Sequence, residues 1–128
     1  MKVLNIASIA TAAALLFLMS GCSSGPKPLY NYEEYSQSYY NLKKEPNEES
    51  ALAYQRALEE VIANKGESSS GRVPPGMYAN LGYLYLKTGN TQKALESFTQ
   101  EKSIYPEAAF FMDRMINRIG AMEGNDEK

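Results

Sequence analysis

The sequence predicts an all-α protein made of helical hairpins, about two of them plus a C-terminal capping helix, behind an N-terminal leader and tether. Three observations predict it. Apolar residues recur at helical spacing in five stretches between Tyr30 and Ile119. Helix-stopping residues separate the stretches, as at Glu45-Pro46-Asn47, Asn64-Lys65-Gly66 and Lys87-Thr88-Gly89-Asn90. The third and fourth stretches also pair small residues with large ones, Gly82 and Ala94 against Tyr78, Tyr85 and Phe98.

The leader comes first. Lys2 is followed by an apolar run from Val3 to Met19, then by small Ser20 and Gly21 directly before Cys22. This is the layout of a secretory signal peptide over residues 1–21, too short and lightly flanked to read as a membrane span. Leu18-Met19-Ser20-Gly21-Cys22 resembles the bacterial lipobox, with Met19 where Leu is usual. The resemblance implies that Cys22 is acylated and becomes the mature N-terminus, a stable membrane anchor once it carries two or three chains. Ser23 rather than Asp follows it, which by the same resemblance directs the protein to the outer membrane, facing the periplasm. Residues 22–29 then read as the lipidated Cys and a Ser/Gly/Pro tether held extended by Pro26 and Pro28.

Composition removes several function classes. The chain has no His and one Cys, which the anchor consumes, so the commonest general base, zinc ligand and thiol nucleophile are missing. No Gly-rich phosphate loop, calcium loop or matched acid pair stands out. No catalytic residue, metal site or cofactor is expected. The net charge is −2 for the full chain, and loss of Lys2 with the leader deepens it to −3. With no basic patch, nucleic acid is not a partner.

A helical domain is expected over residues 30–121. In the first helix, about Tyr32 to Lys44, Tyr32, Tyr35, Tyr39 and Leu42 share one side. That tyrosine stripe reads either as a binding surface or as rings packed on the next helix. The second helix is capped by Asn47, packs through Ala51, Tyr54, Leu58, Val61 and Ile62, and carries an Arg56–Glu60 pair on its wet face. A flexible loop, ESSSGR, follows.

Val73-Pro74-Pro75-Gly76 leads into the third helix, where Tyr78, Leu81, Gly82 and Tyr85 share a face. A mid-helix Gly costs roughly 1 kcal/mol against Ala, so Gly82 implies close passage of another helix, with small Ala94 expected opposite it. Asn90 or Thr91 caps the fourth helix, in which Ala94, Leu95 and Phe98 point inward. After Pro106 a fifth helix carries Phe111, Met112, Met115, Ile116 and Ile119 and closes at Gly120 or Gly124, leaving residues 122–128 as a flexible acidic tail. Its Met-rich stripe reads as core or as an adaptable docking surface.

Residues 75–108 resemble one tetratricopeptide repeat of about 34 residues. Tyr78 stands where that motif has Trp, and Leu81, Gly82, Tyr85, Gly89, Ala94, Phe98 and Pro106 fall on its other signature positions. Glu101 replaces a small Ala, which predicts a looser, more exposed end to the pair. Residues 30–64 read as a degenerate repeat. Two repeats fall short of the roughly three that a solenoid needs to bury its faces, which implies a partner or self-association.

Nearly the whole mature chain, through PLYNYEEY, AYQRALEEVI, VPPGMYANLGYLYLKTGN and EKSIYPEAAFFMDRMI, is similar to a family of small Gram-negative lipoproteins known as a domain of unknown function. The resemblance implies an accessory role in an envelope assembly, beside a lipoprotein resembling the curli-secretion channel subunit, and no enzymatic activity. The functional expectation is a lipid-anchored adaptor that receives a segment of another envelope protein on its first and third helices, through Tyr39, Asn80, Tyr83 and Lys87. The alternatives are a peptidoglycan- or glycan-binding module using tyrosines such as Tyr35 and Tyr83, and a purely structural lipoprotein without a groove.

Overall fold

The computed structural model describes residues 25–126, so the leader and Cys22 lie outside the described residues. The described chain is all-helical, with five α-helices and no strand among the described residues. They are α1 (Tyr35–Lys44), α2 (Glu48–Ala63), α3 (Met77–Lys87), α4 (Thr91–Ile104) and α5 (Ala109–Asp126), with short 3-10 turns at Lys65–Glu67 and Pro106–Ala108. Each helix packs on the next in sequence, giving the hairpins α1–α2 and α3–α4 with α5 laid against α4.

Local chemistry fixes the boundaries. α1 starts at Tyr35, three residues after the expected Tyr32, because the Asn31 side chain accepts from the Glu33 amide (3.2 Å) and Glu33 takes a positive φ of 43°. Asn47 and Ser50 form a reciprocal capping box at the start of α2, with the Asn47 side chain accepting from Ser50 N at 2.8 Å. Arg56 donates to the Leu52 carbonyl at 3.4 Å instead of forming the expected pair with Glu60. Asn90, not Thr91, caps α4 by accepting from Lys93 N.

α3 ends in a Schellman motif, in which Gly89 at φ 77° donates to Leu86 O and Asn90 N donates to Tyr85 O. α5 passes through Gly120 and Gly124 to Asp126, so the expected closure at either glycine does not occur. Gly120 is exposed, and nothing nearby opposes a helical course there.

Two cores run through the hairpins. Tyr54, Leu58, Val61, Val73, Met77 and Leu81 fill the space between α2 and α3, with Tyr35 and Leu42 of α1 beside them. Ala94, Phe98, Met112 and Ile119 fill the space between α4 and α5. Gly82 joins the two, since a Cβ there would lie 2.8 Å from Phe98 Cε1 and 3.1 Å from Ser97 Cβ. Its nearest neighbours are therefore Phe98 and Ser97 rather than the expected Ala94, and the close approach is of helix backbone to an aromatic ring.

The loop before α3 is tied down at several points. Tyr105 Oη donates to Val73 O at 2.6 Å in a buried bond, and the Arg72 guanidinium lies over the Tyr105 ring while donating to Ile104 O. Ser68, expected in a flexible loop, is buried and donates to Lys65 O. The end of the expected tether is also engaged, because Pro28 O accepts from Ser69 N (2.9 Å) and Leu29 O from Ser70 N (3.3 Å).

Candidate functional site

α1 and α3 meet through side chains, since Asn80 of α3 donates to Tyr35 Oη of α1 and residues of both helices line one depression. Each carries a Tyr-x3-Lys spacing, Tyr39 with Lys43 and Tyr83 with Lys87, and residues four apart share a helix face. Both lysines fold back over their tyrosines, at 5.3 Å and 5.2 Å from the ring centroids. Between the two pairs lies a groove of about 380 Å³, with Leu42, Tyr54 and Leu84 at its floor and Pro46 and Asn80 completing the lining. All four residues singled out from the sequence, Tyr39, Asn80, Tyr83 and Lys87, line this one groove although they come from two hairpins. Lys43 and Tyr54 complete it and carried no sequence signal of their own, since each reads as an ordinary polar or core position of its helix.

The groove's aromatic wall is preformed. Tyr35 stacks on Tyr39 (6.2 Å, 13° between planes), and both lean on Tyr54 at 5.7 Å and 5.5 Å. Asn80 is spoken for on one side, donating to Tyr35 Oη at 3.3 Å. Tyr39 and Tyr83 remain 41% and 49% exposed, whereas Tyr54 is buried with a hydroxyl that makes no well-formed hydrogen bond. Burial first, then the neighbouring Tyr35 and Tyr39, push the Tyr54 phenol far above its ordinary ionisation. Within the tyrosine stripe Tyr35 packs against its neighbours, whereas Tyr39 keeps part of its ring exposed at the groove.

The remaining signature residues serve the scaffold. Tyr78 is half-buried and its phenol is held up by burial and by Glu101. Leu81, Gly82, Ala94 and Phe98 are buried, Gly89 supplies the positive φ that ends α3, and Pro106 opens the short turn before α5. Tyr85 donates to Glu59 Oε1 at 3.0 Å, a bond from α3 to α2.

Glu101 departs most from expectation. It is 3% exposed, not at a loose end, and its carboxylate accepts from Gly76 N at 2.6 Å and Ala79 N at 3.2 Å. Gly76 is the N-cap of α3, in the left-handed region and without a capping side chain. One carboxylate from α4 thus supplies both halves of a capping box, and its charge lies at the positive end of the α3 dipole. Glu101 thereby ties α4 to the start of α3.

Among the described residues no group of three or more His, Cys, Asp and Glu is placed to hold a metal ion, and no helix is long and apolar enough to cross a membrane. A family model described as a domain of unknown function, DUF4810, matches residues 29–115. The chain belongs to the DUF4810 family. The matched span contains α1 to α4, the groove and Glu101, so the hairpin pair with its lining is what the family model covers. No match was found among curated proteins or among solved structures.

Proposed function

We propose that this chain is a lipid-anchored, periplasm-facing adaptor of the cell envelope that holds a segment of another envelope protein in the α1–α3 groove. The observation that carries the reading is that Tyr39 and Lys43 on one hairpin and Tyr83 and Lys87 on the next converge on one apolar-floored groove. Exposed tyrosines above a buried apolar floor are the usual anchors of a protein–protein contact. The Leu18–Cys22 motif supports anchoring at Cys22 in the outer membrane. The small-against-large contact of Gly82 with Phe98 supports a tetratricopeptide-like reading of the hairpins, with the groove on their inner face. The family resemblance makes a lipoprotein like the curli-secretion channel subunit the first partner to test.

The ring faces of Tyr39 and Tyr83 are the surfaces on which a sugar would stack, and each is covered by its own lysine. This favours a peptide over a glycan. Co-purification of the full acylated chain from detergent-solubilised envelopes tests the reading. A second envelope protein is expected in the wild-type eluate, depleted for Tyr83→Ala/Lys87→Ala. Recovery of no partner, together with retention on purified sacculi that Tyr35→Ala or Tyr83→Ala abolishes, would replace the adaptor with the glycan-binding module.

A further inference from the structure

A second depression of about 250 Å³ adjoins the first groove and shares Tyr83 and Lys87 with it as a common wall. Its far side is α5, through Met115, Arg118 and Met122, with Leu86 from α3. The two depressions together form one trough that crosses α1, α3 and α5. Its charged lining residues are Lys43, Lys87 and Arg118, all cationic, in a chain whose net charge is −2. All three lie on the exposed surface, and no carboxylate lines either half. An acidic protein that keeps its acids out of one apolar trough and rims it with cations presents a field complementary to an anionic occupant. Methionines at the α5 end give that half an adaptable floor, which suits side chains of varied shape.

We infer that the occupant is an acidic amphipathic segment of the partner protein, lying across α1, α3 and α5. Its carboxylates face Lys43, Lys87 and Arg118, and its apolar side chains rest on Tyr54, Leu84 and Met115. This inference rests on the adaptor reading and extends it by naming the chemistry of the segment and by bringing α5 into the contact. A free headgroup or a bare polyanion needs no apolar floor, and a neutral apolar segment would not need three cations along the rim.

The test is site-specific photo-cross-linking in intact envelopes with the full chain, from position 83 in the shared wall and position 115 on α5, followed by mass spectrometry of the joined peptides. Both positions are expected to capture the same protein, through segments that carry several Asp or Glu among apolar residues. The K43E/K87E/R118E variant is expected to lower the yield at least roughly tenfold, whereas K65E, away from the trough, leaves it unchanged. Capture of a segment without acidic residues, or a yield insensitive to the triple charge reversal, overturns the inference while leaving the adaptor in place. Capture from position 83 alone removes α5 from the contact and overturns it too. Capture only of a second copy of this chain, or of no protein, overturns both.

Discussion

Gly82 and Glu101 hold α3 against α4 by opposite means, one by having no side chain and the other by having a long charged one. At Gly82 a methyl group would meet the Phe98 ring at 2.8 Å, and that ring is 1% exposed in the second core, so it has no room to withdraw. Gly82→Ala gains about 1 kcal/mol of helix propensity and meets an overpacking cost of about 1–3 kcal/mol. The expected result is a net loss in urea unfolding, partly relieved in Gly82→Ala/Phe98→Leu, so that the two changes are not additive. Glu101→Ala leaves the Gly76 and Ala79 amides without an acceptor in a buried setting. It is expected to lose about 2–4 kcal/mol, with Glu101→Gln losing less because one amide oxygen remains to accept. A smaller loss for Ala than for Gln would contradict the capping role. Gly82 was legible in the sequence because a glycine inside a helical pattern implies close approach. The role of Glu101 is not legible there, because its partners lie 22 and 25 residues earlier. Periodicity records neighbours within a helix and says nothing of a cap supplied by another one.

At the scale of elements, the five helices and most of their ends follow from the spacing of apolar residues and from Asn47, Gly89 and Asn90. What spacing did not fix was the course of α5. Gly120 and Gly124 read as stops, yet α5 passes both, because a helical glycine only lowers propensity when no Pro or left-handed turn follows. Gly120 does not adopt a positive φ, and nothing lies within 4 Å of an added Cβ. Gly120→Ala is therefore expected to stabilise the protein by about 0.5–1 kcal/mol. The same substitution that destabilises at position 82 should stabilise at position 120, and thermal melts of the two single variants check the signs together. α5 is also held at its start by the 2.6 Å Lys102–Asp113 pair, which is about half exposed and contributes a few tenths of a kcal/mol after screening.

At the scale of the whole molecule, the absence of His and the burial of phenols set the pH response. Tyr54, Tyr78, Tyr85 and Tyr105 are all held above the ordinary value of 10.0, in each case first by burial. In the unfolded chain these phenols ionise near 10, while in the folded chain they keep their protons. The unfolded state therefore binds fewer protons above that pH, and stability falls as pH rises through it; below it the contribution is present in full. Unfolding free energy is expected to stay nearly level from about pH 6 to 9 and then decline. Tyr54→Phe should make that decline shallower while costing little at neutral pH, since its hydroxyl has no partner to lose.

The groove belongs to this scale as well. Helical spacing alone places Tyr39 on the tyrosine stripe and Asn80, Tyr83 and Lys87 away from the apolar face of α3, but their convergence depends on how the two hairpins pack, which no local pattern encodes. The same holds for Lys43 and for the α5 wall. The most direct measurement is partner recovery from envelopes for two matched double variants. One is Tyr83→Ala/Lys87→Ala in the groove, and the other is Gln92→Ala/Glu96→Ala on the exposed face of α4. Binding by the α1–α3 groove predicts loss of the partner in the first and full recovery in the second. Equal recovery in both, or loss confined to the α4 variant, would contradict it.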